Sequence, residues 1–138
     1  MKHIFFYSAI LFLGAFVTSC GKYEEGPKFT LLSKKARMTN EWKFTKQESN
    51  GIDTTPNESE FSVTMTLKED GTASVVMVVF GLPLNYSGEW AFSDDKEELI
   101  LSDDTGTQNL EIIKLTNSEL KVRQMQGNDE IVTTYTAQ

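Results

Sequence analysis

Apolar and polar residues alternate with a period of two along most of the chain after residue 40. Phe61, Val63, Met65 and Leu67 alternate with Ser62, Thr64, Thr66 and Lys68, as in a strand with one buried face. Glu69-Asp70-Gly71 is a tight hairpin signal. Thr72 to Phe80 follows as a strand whose second half is apolar on both faces. Tyr86, Gly88, Trp90 and Phe92 share a face, and Asp94-Asp95-Lys96 turns the chain. Leu99–Leu101, Asn109–Leu115, Leu120–Met125 and Ile131–Thr136 complete the series, separated by short Asp-, Asn- and Gly-containing turns. Ahead of them, Glu41–Lys46 reads as the first strand, and residues 47–59 as a long polar loop around Asn50-Gly51 and Pro56.

Periodicity changes at the front. Thr30 is placed to cap a helix over Leu31–Met38, with Phe29, Leu32 and Ala36 at helical spacing and Lys34, Lys35 and Arg37 facing out. The pattern therefore predicts an all-β domain over residues 29–138, an eight-stranded antiparallel up-and-down barrel with one short N-terminal helix. A β-sandwich is the alternative, although it needs longer crossovers than most of these turns allow. The helix is the expected cover for the apolar outer side of the strand entering Val75–Leu84.

The first residues carry a different pattern. Lys2 and His3 precede Ile4–Val17, a run of 14 residues interrupted only by Ser8 and Gly14, and small residues follow at Thr18-Ser19. That is the layout of a secretory signal peptide over residues 1–19, and it is shorter than the roughly 20 apolar residues of a spanning helix. Cys20 is the single cysteine, so an exported product has no internal disulfide partner for it. Val17-Thr18-Ser19-Cys20-Gly21 resembles the lipobox of bacterial lipoproteins. The resemblance implies cleavage before Cys20, thioether lipidation of its sulfur and acylation of its new amino group by a chain such as palmitate. Several chains on one residue make a durable membrane anchor. Residues 20–28 then read as a lipidated tether, and its Lys22, Glu24 and Glu25 resemble the surface-export signal of Bacteroidetes lipoproteins. Anchorage in the bacterial outer membrane, with display at the cell surface, is the implied location.

Composition narrows the chemistry. After residue 19 the chain keeps 12 basic and 20 acidic residues, 12 − 20 = −8, which argues against nucleic acid as a partner. The only histidine, His3, leaves with the signal peptide. Ser-His and Cys-His nucleophiles and typical zinc sites therefore lack their histidine. No phosphate-cradling glycine motif stands in the sequence. Asp94-Asp95, Glu97-Glu98 and Asp103-Asp104 sit at expected turns without the spaced loop of a calcium site. No enzyme activity, cofactor or metal is expected.

Several of these residues also carry a resemblance. Trp42, Asp70-Gly71, Tyr86-Ser87-Gly88-Glu89-Trp90-Ala91-Phe92-Ser93-Asp94-Asp95 and the closing Thr134-Tyr135-Thr136 are similar to Bacteroidetes lipocalin-like lipoproteins, with Asn40 where lipocalins carry glycine. The likeness implies a lipocalin-like barrel, and a binding rather than catalytic role. Trp42, Phe44, Phe61, Met65, Trp90 and Phe92 point inward, either as the packed core or as the lining for a small apolar or amphipathic molecule. Gly88 and Ala73 leave local space for a cavity. Leu82-Pro83-Leu84 reads as a turn forming a hydrophobic lip at the barrel mouth, for a ligand portal or an envelope partner protein. Asp53-Thr54-Thr55 resembles a Bacteroidetes O-glycosylation motif with Thr54 as acceptor, and equally an ordinary polar loop.

Overall fold

A computed structural model describes residues 32–138; the expected signal peptide, Cys20, the expected tether and the expected helix cap Thr30 lie outside them. A five-residue helix α1 (Lys34–Met38) leads into β1 (Glu41–Ser49), and a two-residue strand β2 (Ile52–Asp53) turns back on it. β3 (Phe61–Leu67), β4 (Thr72–Val79), β5 (Leu82–Phe92) and β6 (Glu98–Asp103) follow. β7 (Gly106–Leu115), β8 (Glu119–Gln126) and β9 (Asp129–Ala137) complete the chain. From β3 to β9 each strand pairs antiparallel with the next, while β1 pairs with β2, with β3 and with β9. That last ladder, Trp42–Ala137 through Ser49–Ile131, closes eight strands into a barrel and removes the sandwich alternative.

The strands extend further than their alternation suggests. β1 continues through Ser49, because Asn50-Gly51 (φ 50° and 79°) makes a two-residue hairpin inside the expected loop. β5 begins at Leu82, so Leu82-Pro83-Leu84 is strand and the turn is Phe80-Gly81. Pro83 sits opposite Val78 and tolerates the position because the other side of β5 has no partner there.

The helix is where expectation and structure part. It starts at Lys34, capped by the Ser33 hydroxyl, which accepts from the Ala36 amide at 3.1 Å. Leu32 and Ala36 face solvent, while Arg37 turns inward and its Nη1 donates to the Leu115 carbonyl at 2.8 Å. The helix therefore packs on the end of β7, not over β4, and Val76 and Val78 keep much of their outer faces in water. A helix this short buries only its last two side chains, Arg37 and Met38, and Met38 goes under the barrel beside Trp42.

The core lies at that end. Met38, Trp42, Met65, Leu67, Trp90 and Leu99 pack with Leu110, Leu115 and Leu120, fully or nearly buried. Both indole N–H groups donate to backbone carbonyls, Trp42 to Met38 at 2.9 Å and Trp90 to Lys68 at 2.7 Å. Each tryptophan thus fills volume and also satisfies a carbonyl, Trp42 at the chain's entry to the barrel and Trp90 at the β3–β4 turn.

Toward the other end the wall divides. β1 and β3 pair only over Glu41–Lys43, β5 and β6 only from Glu89 to Phe92, and β7 and β8 only from Glu111 to Leu115. The hairpins β3–β4–β5, β6–β7 and β8–β9–β1 stay fully paired internally. The upper barrel is therefore three panels separated by three seams, joined at the closed end. Gly88 marks the seam beside β5: a Cβ there would stand 2.0 Å from the Ser102 carbonyl oxygen, so only glycine lets β6 cross at this point.

Candidate functional site

A cavity of about 420 Å³ opens at the β5–β6 seam, within the range of small-molecule sites. Its floor is the inward side of β4 at Ala73, Val75 and Met77, with Leu101 facing them from β6. β5 supplies Tyr86 to Glu89 on one side, and the tip of the β6–β7 hairpin supplies Asp103 and Thr105 to Gln108 on the other. The cavity exists because β5 runs on alone above Glu89 while β6 ends at Asp103.

The two sides differ in chemistry. On the β3–β4–β5 panel the register puts Val75 beside Tyr86, Met77 beside Leu84 and Val79 beside Leu82 on the inner face. On the other panels most inner positions of the upper half are polar, Ile131 and Leu101 excepted. Gln47 faces Thr133, and Gln124 lies beside Ile131. Gln108 Nε2 donates to Gln124 Oε1 at 2.7 Å, bridging the β7–β8 seam. Asp103 Oδ1 accepts from the Thr105 amide (2.7 Å), the Thr105 hydroxyl (2.6 Å) and the Gly106 amide (3.2 Å), which fixes the hairpin tip. The Thr105 hydroxyl, then the Thr105 and Gly106 amides, hold the Asp103 carboxyl below the usual carboxylate range.

The residues singled out in the sequence fall in different places. Trp42, Met65 and Trp90 are buried in the core, and Phe92 packs against it edge-on to Trp90 at 5.6 Å. Phe44 and Phe61 meet edge-to-face at 5.5 Å across the β1–β3 seam, and Tyr135 joins Phe44 at 6.3 Å. Burial pushes the Tyr135 hydroxyl up to about 12. None of the six lines the cavity; Ala73 and Gly88 do, opposite each other in the β4–β5 register. Leu82, Pro83 and Leu84 form the free arm above the opening, with Leu82 70% and Leu84 44% exposed. Thr54 is exposed beside β2, and its hydroxyl accepts from Gln47 Nε2 at 3.4 Å. Among the described residues no group of three or more metal-ligating side chains converges.

Val75, Met77, Leu101 and Gln108 carry no sequence signal of their own. The signal lies in pairs: an inward apolar residue on one panel and an inward polar one on the next become visible only once register is known.

No curated protein sequence matches the chain. The family model of the lipocalin-like domain matches residues 38–122, more than half of the 138 residues, and spans Met38 at the closed end through Val122 on β8. The closed antiparallel barrel, its core gathered at one end and its cavity toward the other, agrees with that match, and the chain belongs to the lipocalin-like domain family.

Proposed function

We propose that the protein is a lipid-anchored, non-catalytic binding module for a small apolar or amphipathic molecule at the bacterial outer membrane. The observation that carries the reading is the cavity at the β5–β6 seam, apolar on the β4 side and polar at the β6–β7 tip. An amphipathic molecule satisfies both sides at once, whereas water alone leaves Val75 and Met77 wetted. The anchor is Cys20, on the strength of the lipobox pattern in Val17–Gly21. Residue 32 enters the barrel at its closed end, next to α1. A tether from Cys20 would join the domain at this end, opposite the cavity.

A second reading has its own observation. Phe80, 76% exposed at the tip of the β4–β5 arm, is followed by the exposed Leu82 and Leu84. Large apolar side chains gathered at a tip suit contact with an envelope partner protein as well as a ligand portal.

Native mass spectrometry on protein purified from its own cells tests both anchor and ligand. The expected result is an acyl mass on Cys20 and a bound small molecule that is lost from Val75→Trp, a substitution that fills the cavity floor. A folded wild-type protein that carries nothing, or a Cys20→Ala protein that stays membrane-bound, overturns the corresponding half of the reading.

A further inference from the structure

The cavity is uneven in charge as well as in polarity. Among the described residues, Glu89 and Asp103 are the carboxylates that line it, and neither lysine nor arginine does. Glu89 pairs with Ser102 at the last rung before β5 and β6 separate. Asp103 follows on β6, its Cβ 3.3 Å from where a Gly88 Cβ would stand. In the strand register Asp103 shares the inward side of β6 with Leu101, whereas Glu89, Ser102 and Thr107 stand on the outward side, so the two carboxylates flank the opening of the seam from its two faces. The three bonds from Thr105 and Gly106 fall on Asp103 Oδ1, and Oδ2 takes none of them. The nearby Ser102 and Thr107 hydroxyls sit 3.3 Å apart and supply further acceptors. Around this point residues 32–138 hold 10 basic and 18 acidic side chains, 10 − 18 = −8.

We infer that the cavity selects amphipaths whose polar end is a positively charged hydrogen-bond donor, an alkylammonium or similar amine, over those ending in a carboxylate, phosphate or sulfate. The inference rests on the binding function proposed above and specifies its ligand class. An apolar tail replaces water against Val75, Met77 and Leu101. A donor head in the opening then has Asp103 Oδ2 on the inward side, and Glu89 with the Ser102 and Thr107 hydroxyls where the seam reaches the outer surface. An anionic head in the same place meets two negative charges and no cation, and it loses hydration without a compensating partner. Both carboxylates are solvent-exposed, so the selectivity is moderate and weakens with added salt.

Calorimetry on the full chain with decylamine, decyl glucoside and decanoate, at neutral pH and low salt, reads this directly. Decylamine is expected to bind about tenfold or more tightly than decanoate, roughly 1.4 kcal/mol, with decyl glucoside between them. The double variant Glu89→Gln/Asp103→Asn keeps the accepting oxygen that the hairpin needs. It is expected to close most of that gap while holding decyl glucoside affinity unchanged. Glu60→Gln/Asp94→Asn makes the same change of net charge away from the cavity and is expected to leave the gap in place. Equal affinity for decylamine and decanoate in the wild type, or a gap closed as well by the control pair, overturns the selectivity while binding stands. Absence of binding by all three probes removes the binding function itself.

Discussion

Three of the turns carry the same side-chain clasp. Asp53, Asp70 and Asp103 each accept, on Oδ1, the amide and the hydroxyl of the threonine two residues later, Thr55, Thr72 and Thr105. Aspartate favours turns because its short side chain reaches those groups, and the bonded form is the ionised one, so all three carboxyls lie below their ordinary value. Groups depressed in this way add stability above the ordinary carboxylate range and lose it as pH falls through the lowered values. Tyr135 works in the opposite sense. Its hydroxyl is raised from 10.0 to about 12 by burial, so the unfolded chain releases that proton first and stability drops as pH climbs between those values. The urea midpoint of the wild type is expected to fall more steeply over that alkaline interval than that of Tyr135→Phe. Parallel profiles would show that the hydroxyl is not buried in solution.

At the scale of elements, two hairpins adopt the same turn with unequal residues. Asn50-Gly51 and Phe80-Gly81 both place two consecutive residues at positive φ, which asparagine tolerates and a bulky aromatic does not. Phe80 holds φ 48° while remaining 76% exposed, so packing does not offset the strain. Phe80→Asn is expected to raise stability by about 1 kcal/mol in urea or thermal unfolding, and to weaken whatever engages the arm. A loss of stability would instead mean that the ring packs in solution. Strand positions were legible in the alternation because half of each strand meets a core. The ends of β1 and β5 were not, because Asn-Gly resembles loop chemistry until its partner strand is known, and Phe-Gly resembles no turn signal. The helix cover failed for a related reason: α1 is too short to lay a stripe along β4, and Arg37 finds its partner at Leu115, distant in sequence.

Across the whole molecule, stability is unevenly distributed. The indole, leucine and methionine side chains gather at the closed end, where every seam is paired, whereas the three panels part above it. Few buried apolar contacts and unpaired strand edges mark regions that open locally. Hydrogen exchange is expected to be slowest at Trp42, Leu115 and Leu120, and faster by at least about 100-fold at Asn85, Ser87 and Thr107, as for local opening against global unfolding. Uniform protection across β5 and β7 would mean that the seams are shut in solution. Alternation and turn chemistry in the sequence determined an all-β chain of short hairpins, because a two-residue period and local side-chain bonds act over neighbouring residues. The export and anchor proposed for the protein rest on the pattern of Lys2 to Gly21, which is local chemistry alone. Only the tertiary structure decided that β1 meets β9, that β5 outruns β6, and that Val75 and Met77 confront Asp103 and Gln108 across a gap. Those relations depend on register between strands, where a shift of one residue exchanges inside for outside, and no single strand contains that information.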